Sequence, residues 1–375
     1  MAEPPLSGLR ILDLSRVLAG PYCTMLLADL GAEVVKVERP GTGDETRGWG
    51  PPFAGGESAY YLAVNRTKRS VALELGDPPA RDAFLRLAAK ADVVVENFRS
   101  GGADALGVGY ADVCGVNPRI VYCSITGFGD REPRGRPGYD FVVQAESGLM
   151  SITGEADGAP TKVGVAMVDV VAGLNAAVAI LAALRRRDET GEGEHVEISL
   201  LDSALSALVN VAESTLVTGE EAGRHGNAHP NIAPYQLLRA ADGPIAVAAA
   251  NDGLFAKLCE ALGLTELLED PRFATNADRV QNRPKLVSLL EATLTARPAA
   301  EWIELLTAAG VPVGKVRGVL DALEAAGGAT VTVDHPTIGE LRLVRTAPRF
   351  ASAGSVEPTP PPLLGEHTRD VLEDT

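Results

Sequence analysis

Five short apolar runs punctuate the first third of the chain. Leu9-Arg-Ile-Leu-Asp-Leu14, Glu33-Val-Val-Lys-Val-Glu38, Ser70-Val-Ala-Leu-Glu-Leu75, Asp92-Val-Val-Val-Glu96 and Ile120-Val-Tyr-Cys-Ser-Ile125 are rich in β-branched and aliphatic side chains. Their length and make-up suit strands buried on both faces. Between them, Gly20 to Leu30 (stopped by Gly31) and Pro79 to Ala91 carry helix signals. This alternation predicts an α/β fold, a mostly parallel sheet with helices on both faces. Ligands of such sheets bind beyond the carboxyl ends of the strands, so Ser15-Arg16, Arg39-Pro40, Asn97-Phe98 and Thr126-Gly127 are where chemistry is expected. The stretch from Arg39 to Ser58 is too rich in Gly and Pro for a helix, and long enough to be functional.

In the middle of the chain, Lys162-Val-Gly-Val-Ala-Met-Val-Asp169 sets one carboxylate in an otherwise almost wholly apolar run. A helix follows, ending in Arg185, Arg186 and Arg187 with Gly191 as its stop. Asp169 therefore stands near a helix N-terminus, where two readings apply. It is an N-cap whose oxygen satisfies orphan backbone donors, or a nucleophile held ionised by the helix end and shielded from water. The two roles do not exclude each other.

After a tight link come a strand at His195 to Ser199 and a helix from about Asp202. Small and polar residues from Arg224 to Pro230 mark a break. Beyond it, Tyr235 to Arg239 and Ile245 to Ala249 flank Ala241-Asp-Gly243 as a β-hairpin. Helices follow at about Gly253 to Leu262, Arg283 to Ala296 and Ala299 to Ala309. Two short strands are expected from Thr330, then a Pro-rich stretch and a short helix near Glu366. The predicted division is a large domain over 1–223, a small domain over 224–329, and a C-terminal segment, 330–375, that returns to the first.

A formal net charge of -16 argues against nucleic acid or an anionic membrane as the main partner, while leaving room for an anionic ligand where basic residues gather. No uncharged apolar run is a convincing membrane span, the N-terminus lacks the pattern of a secretion signal, and a cytoplasmic protein is expected. The four cysteines are scattered singly, without the spacing of a zinc site or a disulfide framework. His225 and His229 lie four apart, but Gly226 and Pro230 interrupt any helix that would align them, and no metal site is predicted.

Signals for serine hydrolases, P-loop enzymes and zinc proteases are absent. The first strand runs into Arg16-Val-Leu-Ala-Gly-Pro21, which is not a dinucleotide-binding glycine fingerprint. Arg16, Lys36, Arg39, Arg47, Arg66, Lys68, Arg69 and Arg99 instead cluster near strand ends or the loops after them. Any one of them fits an ordinary solvated charge; together they fit an anionic cofactor.

Arg16 to Pro21, Leu30 to Pro40 followed by Gly43-Asp44, Lys68-Arg-Ser70, Val95 to Phe98, Gly138-Tyr-Asp140, Gly148 to Gly154, Asp169 and Pro361 to Thr368 resemble, in order along nearly the whole chain, the family III CoA-transferases. That family groups formyl-CoA and carnitine CoA-transferases with the α-methylacyl-CoA racemases. The resemblance implies a Rossmann-like large domain completed by the C-terminal segment, a smaller α+β domain and an interlocked homodimer. It implies that Asp169 is the nucleophile, passing through aspartyl anhydride and aspartyl-CoA thioester intermediates, with CoA as substrate and no permanently bound cofactor or metal. CoA is implied to lie along Arg16, Leu18, Ala19, Arg39, Leu73, Glu74, Leu75, Asn97, Phe98, Arg99, Arg136 and Tyr139. Leu18 stands where formyl-CoA transferases carry Gln, and Ala105 where they carry a CoA-binding Arg.

Tyr139 occupies the position of the racemase histidine and is a poor base near neutrality, which favours transferase over racemase or epimerase. Trp49 to Phe53, Ser58 to Leu62, Gly164 to Met167 and His229 to Gln236 are most similar to the succinyl-CoA:glutarate type. Arg47, Arg224 and His229 are the candidates for holding the far carboxylate of a dicarboxylic acid. A CoA-binding protein without turnover is the more distant alternative.

Overall fold

The computed structural model describes residues 2–131 and 135–373. The chain begins with β1 (Arg10–Asp13), α1 (Ala19–Asp29) and β2 (Glu33–Glu38). The Gly- and Pro-rich stretch then forms one 3-10 turn and a two-residue ladder of β3 (Phe53–Ala54) with β4 (Glu57–Ser58), leading into α2 (Ala59–Ala63). Next come β5 (Lys68–Ala72), α3 (Pro78–Ala88), β6 (Val93–Glu96), α4 (Gly102–Ala105), α5 (Tyr110–Val116) and β7 (Val121–Thr126). They are followed by α6 (Asp140–Glu146), α7 (Met167–Thr190), β8 (Glu194–Ser199), α8 (Leu200–Ala207) and α9 (Val209–Thr218).

The six main strands form one sheet in the order β5-β2-β1-β6-β7-β8, every neighbouring pair parallel. The α/β parallel sheet expected from the apolar runs is thus observed. Alternation within the runs decides which core each residue joins. Ile11, Val34, Val93, Val95, Val121 and Cys123 pack with α1, α7 and α8. Leu12, Val35, Val71, Val94 and Tyr122 pack on the other face with α3 and α5. Strand order reverses between β1 and β6, which opens a crevice beyond the carboxyl ends of those two strands.

One strand is displaced from its expected place. The run predicted at Ser70 to Leu75 is a strand only over Lys68–Ala72, because its ladder with β2 starts at Lys68 opposite Val34 and ends where β2 does, at Glu38. A buried lysine conceals its start. Lys68 Nζ is withdrawn from solvent against Asp13 at 3.0 Å, the Pro21 carbonyl and Asn65. Leu73 and Leu75 remain in the core beyond the strand end.

The helix after Asp169 is α7, closed as expected at Gly191, whose φ of 79° suits glycine. It is long and apolar enough by composition to cross a membrane, which the sequence reading did not credit, and half of its most apolar window is buried. Gly173 lets α7 meet α1 closely, since a Cβ there would lie 2.6 Å from the Ala19 carbonyl oxygen.

The chain divides into two compact units, the first formed by 1–150, 162–220 and 327–375 and the second by 151–161 and 221–326. The second unit carries an antiparallel sheet of β9 (Tyr235–Arg239), β10 (Pro244–Ala248) and β11 (Val313–Lys315). On it pack α10 (Asp252–Leu262), α11 (Asn276–Gln281), α12 (Arg283–Leu294) and α13 (Ala299–Ala308), with α14 (Val319–Ala325) following β11. The hairpin of β9 and β10 matches the expected one, whereas the three-residue β11 was not foreseen.

The first unit ends with the hairpin of β12 (Thr330–His335) and β13 (Gly339–Val344) and with α15 (Thr368–Glu373). Val371 of α15 enters the core beneath α3 and α5. The preceding turn is bonded to the edge strand β5. Gly365 N–H donates to Ser70 Oγ, His367 N–H to the Ser70 carbonyl, and Ala72 N–H to Thr368 Oγ1.

Candidate active site

Asp169 is the third residue of α7 and is only 8% exposed. It is not the N-cap, as one reading of the sequence had it. The cap position is Ala166, which has no side chain to offer. The capping acceptor comes from α6: Asp140 Oδ1 accepts the backbone N–H of Val168 at 2.8 Å and that of Asp169 at 3.4 Å. The Asp169 carboxylate is left unused by its own helix.

Its ionisation also departs from expectation. Burial, and then the negative charge of Asp140, push the Asp169 pKa up to about 7. Desolvation outweighs the favourable end of the helix dipole, so the free protein holds Asp169 as a mixture of acid and carboxylate at neutrality. Tyr60 on α2 feels the same charges. Burial, Asp169 and Asp140 raise its phenol to about 12.

A cavity of about 510 Å³ opens on Asp169 at the crevice between β1 and β6. Its walls are the loops after β1, β6 and β7 together with residues 135–139. The loop after β1 is held in a strained shape. Val17 has a φ of 69°, a conformation costly for a β-branched residue. Asn97 clasps it from the next strand, accepting Arg16 N–H at 2.8 Å and donating to the Arg16 carbonyl at 2.7 Å, while Asp44 accepts Val17 N–H at 3.3 Å. The loop after β6 is fixed from below by Glu96. It accepts Phe98 N–H at 2.7 Å, and burial raises its pKa.

Of the residues expected along CoA, Arg16, Leu18, Ala19, Asn97, Phe98, Arg99, Arg136 and Tyr139 line this cavity with Asp169. Arg16 lies over the Phe98 ring at 5.7 Å, and Arg136 lies over Phe128 at 4.2 Å while pairing with Glu146. Arg39, Leu73, Glu74 and Leu75 are not among the lining residues. Arg39 is mostly exposed and bonds Glu74 at 3.0 Å, and the Leu73 and Leu75 side chains belong to the core.

Arg47, expected to hold a distal carboxylate, is turned inward instead. Its guanidinium takes Glu38 through two nitrogens, Glu57 at 3.1 Å, the Tyr61 hydroxyl and the Pro362 carbonyl, and it lies over the Tyr61 ring at 3.7 Å. Arg224 and His229 belong to the second unit. Arg224 fastens residues 151–161 to that unit through the carbonyls of Ser151, Glu155 and Gly158. His229 Nδ1 accepts Asn231 N–H, and its ring lies 5.3 Å from Tyr235.

The sequence reading missed several lining residues: Glu45, Phe128 and Arg131, the last paired with Asp202 at 2.6 Å. It also missed the contact of Gly127 with Gly138, where a Cβ on Gly127 would come within 2.7 Å of the Gly138 Cα. The glycines were visible as loop residues, but nothing in their spacing shows that two loops cross there. Among the described residues, no group of three or more His, Cys, Asp or Glu side chains is arranged to hold a metal ion.

A family model described as CoA-transferase family III matches residues 6–368. The chain is 45% identical to a succinyl-CoA:glutarate CoA-transferase of Mus musculus, over 99% of this chain and 86% of that protein. It is 40% identical to a succinate–glutarate CoA-transferase of Agrobacterium fabrum, over 99% of this chain and 96% of that protein. Among solved structures, a CAIB/BAIF family protein from Brucella suis matches with a TM-score of 0.88 and 42% identity, covering 100% of both chains.

Proposed function

The chain belongs to CoA-transferase family III, and on that premise we propose that it passes CoA from succinyl-CoA to a dicarboxylic acid of glutarate's kind through Asp169. The observation that carries the role of Asp169 is its position. It is a buried carboxylate, unused by its own helix, on a cavity shared with Arg16, Arg99 and Arg136.

The carboxylate attacks the donor thioester carbonyl, forming a succinyl–aspartyl anhydride and expelling CoA thiolate. The thiolate, kept in place, attacks the aspartyl carbonyl of the anhydride. Succinate leaves, and an aspartyl-CoA thioester remains. The acceptor carboxylate then attacks that thioester to give a second anhydride and thiolate. Attack of the thiolate on the acceptor's acyl carbon releases the new acyl-CoA and frees Asp169. One carboxylate serves all four steps because each leaving group is the next nucleophile or a product.

The raised pKa of Asp169 suits this work, since a more basic carboxylate is the better nucleophile. The start of α1 supports the binding of charge. Its first turn has no side-chain cap, and Leu18 and Ala19 line the cavity, so its orphan N–H groups are available to an anionic ligand atom. Arg39, Glu74 and the Leu73 and Leu75 backbone remain proposed contacts for the part of CoA outside the cavity.

The proposed assembly is a homodimer. Leu174 and Val178 on α7, Leu205 on α8, and Val209, Leu216 and Val217 on α9 are 42–78% exposed, an apolar surface that a second copy would cover. Sedimentation analysis checks this; a monomer at micromolar concentration refutes it.

The reaction is tested by incubating the protein with succinyl-CoA and analysing it by mass spectrometry, then offering C4 to C6 dicarboxylates. A succinyl or CoA adduct on Asp169, discharged by glutarate, is the expected result. Exchange of solvent deuterium into an α-carbon with no acceptor present would assign the protein to racemase chemistry instead.

A further inference from the structure

The backbone leading to Asp169 is held at both ends by two side chains of α6. Gln144 Oε1 accepts Val163 N–H at 2.8 Å, and its Nε2 donates to Asp140 Oδ2 at 2.6 Å. Asp140 Oδ1 in turn accepts Val168 N–H at 2.8 Å. Residues 163–168 are thereby bracketed by one two-link connection. Gln144 is fully buried and Asp140 is 9% exposed, so water does not compete for these bonds.

The connection has a direction. Gln144 must point its oxygen at an N–H and its amide nitrogen at a carboxylate, and the flipped amide would set donor against donor. The cap position of α7 does not do this work, because Ala166 has no side-chain acceptor. Asp140 is therefore in an odd position. A carboxylate is placed behind another carboxylate, where a neutral acceptor would cap the helix without repulsion.

We infer that Asp140 and Gln144 are positioning residues for Asp169: from α6 they fix where α7 begins and set one negative charge behind the nucleophile. This rests on the reading of Asp169 as the nucleophile. The charge makes Asp169 more basic, and the bonds hold its carboxylate on the cavity wall. Other groups around Asp169 are accounted for. Tyr60 on α2 couples to it but is itself raised and stays neutral near pH 7. Glu45, Tyr139, Arg16, Arg99 and Arg136 share its cavity, Tyr139 as the N-cap of α6 and Arg136 paired with Glu146 of the same helix. Along α7, Gly173 meets Tyr22 and Cys23 of α1, and Asp202 of α8 is paired with Arg131.

The test uses full-length Asp140→Asn and Gln144→Leu, with Asp169→Ala alongside. In Asp140→Asn the acid limb of the kcat profile is expected to move to lower pH by about one unit, as removal of a like charge requires. In Gln144→Leu, kcat is expected to fall about tenfold to a hundredfold, with KM for succinyl-CoA within about twofold, and the acid limb to stay in place because the charge remains. Wild-type pH profiles and kcat in both folded variants would overturn the inference. If Asp140→Asn fails to fold, an unchanged kcat in Gln144→Leu overturns it alone. Transfer retained in Asp169→Ala is a different outcome, which removes the nucleophile reading itself.

Discussion

Arg47 holds Glu38 by two parallel contacts, Nε to Oε2 and Nη2 to Oε1, each 2.8 Å, with 9% and 1% of the two side chains exposed. Removing the guanidinium takes from Glu38 and Glu57 the cation they share, leaving Glu38 only the field of Lys36. Arg47→Ala is expected to lower stability by about 3–5 kcal/mol, and Arg47→Lys to recover only part, since a lysine cannot make the paired contact. Urea unfolding measures both. A fully stable Arg47→Ala whose KM rises for glutarate alone would restore the acid-binding role that the sequence suggested.

Asp169 makes stability depend on pH in a definite sense. Its folded pKa of about 7 lies above the ordinary value of 3.8, so the folded state holds the proton more tightly. That contribution is full below pH 3.8 and is lost as pH rises through 7. Asparagine does not titrate. Asp169→Asn should therefore gain on the wild type between pH 5 and pH 8, ending more stable by roughly 2–4 kcal/mol at the higher value, while transferring no CoA. Thermal unfolding at the two pH values checks the sign. A constant difference contradicts the burial of this carboxylate.

Arg99 and Arg136 line the cavity from two different loops, those after β6 and β7. If both meet the anionic donor, Arg99→Ala and Arg136→Ala should each raise KM for succinyl-CoA about tenfold with a small change in kcat, and the effect should shrink in high salt. Steady-state kinetics at two ionic strengths decide it. Equal KM values in variant and wild type would remove that arginine from the site.

Asn97 restrains the strained turn at Val17 rather than simply facing the ligand. Asn97→Ala should cost about 1 kcal/mol in stability yet lower kcat about tenfold or more, because the turn relaxes away from its productive shape. A pure KM effect would return Asn97 to the role of a direct CoA contact.

The sheet was legible because its central strands are buried on both faces and carry short β-branched and aliphatic runs, as in Asp92 to Glu96. The start of β5 was hidden because Lys68 and Asp13 neutralise each other inside the core, an arrangement that a hydropathy pattern reads as surface. Asp169 stood out as a lone carboxylate in an apolar run. Its true cap did not, since Asp140 reaches α7 from 29 residues away in sequence. Arg47 misled for a related reason. A basic residue in a Gly-rich loop looks free until Glu38, Glu57 and Tyr61 are seen around it.

The edge of the sheet at β5 is closed by Gly365, His367 and Thr368, while residues 221–326 form a separate unit in between. During synthesis, therefore, the first unit leaves the ribosome with β5 bare and the seat of Val371 empty until the whole second unit has been made. The nascent chain must survive that interval with an exposed strand edge, and it is then that a chaperone or an aggregating neighbour has its opportunity.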